Sequence, residues 1–192
     1  MATETYQVND TGGSAWGKWG YAQPAVWERP SALDDPGCTL TGAEEDTIST
    51  DDLNFVQRTG AGGSYVEFRC LCNTSISAAS ITQIKFTAKV AASIFRTGIG
   101  FSFYIGDFNG STWDKKVDWT NNGTAQTLTS TITSNISNYI DGSGNMEMLI
   151  SFLATWPGLP SQLNLKYAEI EITYTPPSLI LEKVICENVI LE

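Results

Sequence analysis

The stretch LNLKYAEIEITYTPP, residues 163–177, decides the fold of this chain. From Ala168 to Tyr174 apolar and polar side chains alternate, which is the two-residue period of a strand with one buried face and one solvated face. Pro176 and Pro177 then end the strand, because proline has no N–H to donate to a sheet ladder. The pattern predicts the closing strand of a β domain.

A second strand-like run, SLILEKVICENVIL at 178–191, follows the two prolines without a turn that would fold it back. Apolar side chains occupy both of its faces, so it needs cover on both sides, or cover on one side and pairing with a sheet edge. We therefore expect a domain over residues 1–177 and a C-terminal arm over residues 178–192 that engages a neighbouring subunit. Packing of the arm onto its own domain is the alternative. The predicted subunit contacts are Leu179, Leu181, Val184, Ile185, Val189, Ile190 and Leu191.

Strand signals recur along the rest of the chain. Ile84–Val90 and Met146–Ala154 alternate in the same way, and turn signals such as Asp141–Gly144 separate such runs. Residues 9–47 show no clear period, so we expect a long loop region there, and the acidic stretch Leu40–Asp52 is expected to be solvated. Roughly nine strands and no useful amphipathic helix predict an all-β chain. The expected fold is a jelly-roll-like antiparallel β-sandwich with a C-terminal strand arm.

Composition argues against several classes of partner. The 192 residues carry a formal net charge of −10, and an acidic surface repels both nucleic-acid backbones and anionic lipid. No apolar run approaches the ~18 residues of a membrane span. The first residues have neither the basic start nor the apolar stretch of a signal peptide. We expect no nucleic-acid partner, no membrane partner and synthesis in the cytoplasm.

Residues that could support catalysis are few. The chain has no histidine, which removes Ser–His and Cys–His nucleophile pairs and the usual zinc sites. Glu169 and Glu171 share one face of the closing strand, and Glu147 could lie on a neighbouring strand, so an inverting carboxylate pair is one interpretation. The simpler one is that these side chains are solvated. We expect no enzyme activity and no cofactor.

The four cysteines do not form a metal-binding set, since Cys70 and Cys72 lie two residues apart on an apparent strand and point to the same face. We expect them to be small buried hydrophobic residues. A disulfide from Cys38 to Cys70 or Cys72 is the alternative.

One segment could hold a structural calcium ion. Asp107–Asp118 spreads hard oxygen ligands over an apparent loop, and such ligands suit calcium. Lys115 and Lys116 would repel a cation, so an ordinary polar hairpin loop is the alternative. The candidate calcium ligands are Asp107, Asn109, Asp114 and Asp118.

Aromatic residues are concentrated in the segment without a clear period. Exposed tryptophan and tyrosine rings can stack on sugars, and irregular segments often present side chains to ligands. The same rings could instead bury large areas and anchor long loops. The predicted platform for a glycan or protein partner comprises Trp16, Trp19, Tyr21 and Trp27.

Four features occur together in this chain: the opening Met1–Thr5, the Ile81–Val90 strand, the pair Trp113 and Trp119, and the closing YAEIEITYTP at 167–176. Together they resemble a group of tailed-phage and metagenomic virion structural proteins with a β-sandwich domain. The resemblance covers about residues 1–177. It implies a structural role on a virus particle, as capsid decoration, tail or fibre component, or host-facing adhesin, and it carries over no functional residue.

Two hypotheses follow. The first is a non-enzymatic structural protein of a virus particle or an extracellular filament, assembled in the host cytoplasm, whose arm links it to copies of itself or to other virion proteins. The alternative is a carbohydrate-binding module or adhesin that acts outside the cell and binds a surface glycan through exposed tryptophans.

Overall fold

The computed structural model describes residues 1–7, 14–21, 38–52, 54–60, 64–93, 100–120, 124–153 and 161–177. They form eleven strands, one α-helix and two short 3-10 helices. The strands are β1 Ala2–Gln7, β2 Ser14–Tyr21, β3 Cys38–Thr39, β4 Val56–Gly60, β5 Ser64–Asn73, β6 Ile81–Ser93, β7 Gly100–Asp107, β8 Thr112–Thr120, β9 Gln126–Ile132, β10 Asn145–Leu153 and β11 Ser161–Tyr174. The helix α1 spans Gly42–Ser49, and the 3-10 helices span Ala78–Ser80 and Ile136–Asn138.

The strands form two antiparallel sheets that pack face to face. The five-stranded sheet has the order β1-β11-β6-β9, with β4 also paired to β11, and the six-stranded sheet has the order β3-β2-β5-β10-β7-β8. The expected jelly-roll-like antiparallel β-sandwich is therefore confirmed. The predicted C-terminal arm, residues 178–192, lies outside the described residues, and the domain division stays a prediction.

The closing strand predicted from the sequence lies inside the five-stranded sheet. β11 pairs with β6 over its length, with Ile170 opposite Phe86 and Ile172 opposite Ile84, and all four side chains are buried. Because alternate residues face opposite sides of a strand, this register puts one apolar row on the core.

The six-stranded sheet supplies the other half of the core. Cys70 pairs with Met148 and Cys72 with Met146, and all four side chains are buried. Cys70 and Cys72 are free thiols, so the expectation of small buried residues is confirmed for these two and the disulfide alternative is wrong. Burial, followed by the neighbouring Cys72, raises the pKa of the Cys70 thiol, so the protonated thiol is favoured.

The expectation of an irregular segment over residues 9–47 is wrong in part. β2 is an eight-residue strand that pairs with β5 from Ser14 opposite Leu71 to Tyr21 opposite Ser64. Gly17 and Gly20 interrupt the alternation of side chains in this strand, and glycine weakens a strand signal. Pairing with a neighbouring strand overrides that local preference.

The acidic stretch Leu40–Asp52 is only partly solvated, because it contains α1. Thr41 begins the helix with a capping box: its hydroxyl accepts from the Glu44 amide at 3.3 Å, and the Glu44 carboxylate accepts from the Thr41 amide at 2.9 Å. Such reciprocal bonds satisfy amides that a helix start leaves open. Ile48 is fully buried and fixes the short helix on the sandwich.

No helix in the described part of the chain is long and apolar enough to cross a membrane.

Gly144 is required by the turn that leads into β10. Its φ is +87°, and a Cβ added there would lie 2.1 Å from the backbone oxygen of Thr74. The Thr74 amide donates to the Gly144 oxygen at 2.9 Å, and this hydrogen bond keeps the two backbone segments close together. A side chain would therefore strain φ and displace the backbone at Thr74, which directly follows β5.

We expect Gly144→Ala to lower the free energy of unfolding by about 1–3 kcal/mol or more, because alanine disfavours this φ and clashes with a backbone atom. Gly142→Ala is the matched control, since nothing lies within 4 Å of its added Cβ. Denaturant unfolding of both variants measures the difference. Equal stabilities for the two variants would contradict this account of the turn.

Candidate functional site

The face of the six-stranded sheet that points away from the core carries charged residues. In β5, Glu67 and Arg69 alternate with the core residues Val66, Phe68 and Cys70. Across the pairing with β10, Glu67 lies opposite Ser151 and Arg69 opposite Leu149, while Glu147 lies opposite Leu71. Alternation therefore places these residues on the outer face of the sheet.

Four of these side chains form a buried ionic cluster, defined as Glu67, Arg69, Glu147 and Ser151. The Arg69 guanidinium donates to one Glu147 carboxylate oxygen from Nε at 2.9 Å and from Nη2 at 2.5 Å. The Ser151 hydroxyl donates to Glu67 Oε1 at 3.1 Å. The two side chains of the ion pair are only 1% and 3% exposed, so the attraction between their charges offsets part of the cost of removing both from water.

Trp113 links this cluster to the edge of the sheet. The Arg69 guanidinium carbon lies 5.4 Å from the centroid of the Trp113 ring, within the range of a cation–π contact. Trp113 pairs across the strands with Gly106, which has no side chain to compete for the space. The half-buried ring is thus positioned by a buried cation.

Trp113 belongs to the exposed row, defined as Ser102, Tyr104, Trp113, Lys115 and Asp118 on β7 and β8. Lys115 and Asp118 are exposed and the other three are half-buried. The Ser102 hydroxyl donates to Asp118 Oδ1 at 2.6 Å, and Lys115 Nζ donates to Asp118 Oδ2 at 2.9 Å. The Ser102 hydrogen bond and then Lys115 lower the pKa of Asp118, so this carboxylate is ionised at neutral pH. The row combines aromatic rings, hydrogen-bond donors and an anionic acceptor.

Three of the four residues of the predicted aromatic platform lie on β2, the strand next to β5. Trp16 pairs with Arg69 and Trp19 with Val66 on the neighbouring β5, and Tyr21 ends β2. Trp27 lies outside the described residues. The platform as a whole stays a prediction, while the backbone of β2 lies in the same sheet as the ionic cluster.

The structure does not bring the four candidate calcium ligands together. The segment Asp107–Asp118, expected to be a loop, comprises the end of β7, a turn and most of β8. Asp107 Oδ1 accepts from the Gly110 amide at 3.0 Å, and Asn109 is exposed in the same turn. Asp114 pairs with Lys116 and lies opposite the core residue Ile105, whereas Asp118 lies opposite Ser102 on the outer face. Among the residues that the structure describes, no group of three His, Cys, Asp or Glu side chains could hold a metal.

The carboxylates considered for catalysis lie on different sheets. Glu169 and Glu171 are on β11 of the five-stranded sheet, whereas Glu147 is on β10 of the six-stranded sheet. The expectation that Glu147 neighbours the other two is therefore wrong. The Tyr167 hydroxyl donates a hydrogen bond to the Glu169 carboxylate. Burial, and then this carboxylate, raise the pKa of Tyr167 to about 12.

The predicted subunit-contact residues, all between 179 and 191, lie outside the described residues. Sequence reasoning overlooked Glu67 and Arg69, and it considered Glu147 only as a catalytic carboxylate; all three side chains are buried. A signal for them was present, because each stands between apolar residues in a strand, and opposite charges in such strands indicate a paired, covered face.

Comparison with known proteins gives a family and a set of distant folds. The family model described as "Uncharacterized protein, C-terminal domain" matches residues 17–174. No curated protein matches the chain.

Three solved structures are similar at low identity. "CBM4 structure and function" has 13% identity and a TM-score of 0.39, covering 64% of this chain and 91% of its own. A CBM61 in complex with beta-1,4-galactotriose has 8% identity and a TM-score of 0.38, covering 68% and 77%. A Stig cyclase from Fischerella sp. TAU has 10% identity and a TM-score of 0.39, covering 90% and 85%. All three TM-scores lie below 0.5, which is too low to assign a function or a binding face.

We expect Arg69→Met to lower the free energy of unfolding by about 3–5 kcal/mol, because it takes the guanidinium away from the buried Glu147 carboxylate. The double variant Arg69→Met with Glu147→Leu removes both charges and should recover most of that loss. Urea unfolding of the two variants and the parent measures the coupling. A double variant no more stable than the single one would show that the ion pair is not the source of the effect.

Proposed function

The chain belongs to the family described as "Uncharacterized protein, C-terminal domain", and we propose that its β-sandwich is a carbohydrate-binding module that holds a glycan on the exposed row. The observation that carries this proposal is the Trp113 ring, held by a buried cation next to a polar row on the outer face of a sheet. The sequence also suggested a carbohydrate-binding module, but with its glycan site in the 16–27 segment; the site proposed here lies on β7 and β8.

The chemistry of the exposed row suits a sugar. A pyranose ring has an apolar C–H face, which an indole ring can cover, and a rim of hydroxyls that need donors and acceptors. The rings of Trp113 and Tyr104 provide the first kind of contact. Asp118 accepts hydrogen bonds, while Lys115 and Ser102 donate them.

Rigidity strengthens the case for Trp113. A ring fixed before binding loses little conformational entropy when a ligand stacks on it. The Arg69–Glu147 pair provides that fixation, although a buried ion pair contributes little net stability compared with apolar packing. Since the ion pair adds little stability, we assign to it the positioning of Trp113.

Net charge selects the class of glycan. With a formal charge of −10, the protein repels acidic polysaccharides at long range. Lys115 is already paired with Asp118 and leaves no cluster of positive charge on the exposed row. The ligand we propose is therefore a neutral polysaccharide.

The structural role on a virus particle stays a prediction. It depends on residues 178–192, which lie outside the described residues, and on a sequence resemblance. A sandwich that binds glycans is compatible with a host-facing adhesin on such a particle, so the two hypotheses do not exclude each other.

We expect the protein to be retarded by at least one neutral polysaccharide in affinity electrophoresis, and Trp113→Ala to weaken that binding about tenfold or more, since stacking on a ring contributes on the order of 1.5 kcal/mol. Asp118→Asn, at an exposed position, should weaken it without affecting folding. Phe55→Ala is the control, because Phe55 is an exposed aromatic residue, 45% accessible, outside the exposed row.

The proposal fails if no neutral polysaccharide in a broad panel retards the protein. It also fails if Trp113→Ala and Asp118→Asn bind as the parent does. Circular dichroism of each variant separates loss of binding from loss of fold.

A further inference from the structure

One end of the five-stranded sheet is an open edge. Among the described strands β9 pairs with β6 alone, from Gln126 opposite Val90 to Ile132 opposite Ile84. The other side of β9 therefore presents a row of backbone N–H and C=O groups that no described strand pairs. Such a row is a template for another strand.

Nothing in the sequence of β9 protects this edge. The strand reads QTLTSTI and contains no charged residue, no proline and no glycine. Its pairing with β6 runs without a bulge. Natural edge strands are commonly blunted by lysine, proline or bulges, and β9 has none of these.

Three other edge strands differ from β9 in these respects. β8, the edge of the six-stranded sheet, has a register shift between Phe103 and Tyr104 and carries Lys115 and Lys116. β1 carries Glu4, and β3 is only two residues long. Compared with these three strands, β9 is the edge without such protection.

The chain itself contains a segment of the matching kind. Residues 178–191, SLILEKVICENVIL, are apolar on both faces and rich in β-branched residues, which favours a strand with pairing partners. The inner face of β9 carries the buried Leu128 and Ile132, and an added strand would extend that apolar face. The seven residues of β9 can pair with about half of the segment.

The path of the chain favours a segment from another molecule. β11 ends beside the start of β6, with Tyr174 opposite Ile81, and β6 separates it from β9. To pair with β9 of its own sheet, the chain would have to cross β6 and reverse direction just after Tyr174. Pro176 and Pro177 favour an extended spacer at this point.

We propose that the edge of β9 binds residues 178–191 of a second copy of this chain as an added antiparallel or parallel strand. Each molecule then offers one edge and one segment, so the contact is reciprocal in a dimer or continues in a filament. The contact does not use the exposed row, and a glycan could bind at the same time.

Native mass spectrometry and light scattering of the full chain test this proposal. We expect an oligomer whose dissociation constant rises at least tenfold in Ile185→Asp with Val189→Asp, which places charges on the segment. Thr129→Lys, which blunts the edge of β9, should weaken self-association by a similar factor. Thr3→Lys is the matched control: both threonines are exposed on edge strands, and each lies opposite a threonine of the neighbouring strand.

Hydrogen exchange locates the contact. Raising the protein concentration should slow amide exchange in residues 126–132 and leave residues 112–120 unchanged. A chain that is monomeric at all concentrations, or an oligomer that Thr129→Lys weakens no more than Thr3→Lys does, would overturn the proposal. Since glycan binding is measured separately on Trp113→Ala, failure of one proposal leaves the other to be judged on its own result.

Discussion

The register of β5 against β10 is the constraint on which the rest of the molecule depends, and the Arg69–Glu147 ion pair fixes it. A slip of one residue would exchange the two faces of β5, moving Glu67 and Arg69 into the apolar core. The correct register instead puts Phe68 and Cys70 in the core. One buried pair thus selects which face of β5 joins the apolar core, and the same pair contacts Trp113 on the other face.

Sequence alone predicted the parts of the fold that obey a simple period. β6 and β11 alternate apolar and polar residues, and both are strands in the expected places. β2 escaped prediction because two glycines interrupt its pattern, and α1 escaped because eight residues are too few for an amphipathic period. Its capping box, Thr41 with Glu44, was nevertheless readable in the sequence.

The candidate site was harder to predict, because it depends on which strands become neighbours. Trp113, Arg69 and Glu147 are distant in sequence and meet only through the order β5-β10-β7-β8. The tryptophans that sequence analysis favoured lie near residue 20, and no local signal distinguished them from Trp113. The two surfaces for which we propose roles are a polar, aromatic row on one sheet and an uncharged edge on the other.

The most direct test of the account is an NMR titration of the isotopically labelled protein with an oligosaccharide from a polysaccharide that retards it. The account predicts that the largest shifts fall on the indole N–H of Trp113 and the amides of Ser102, Tyr104, Lys115 and Asp118. Shifts confined to the five-stranded sheet, or to the groove of about 440 Å³ lined by Glu4, Ser77 and Tyr174, would contradict it.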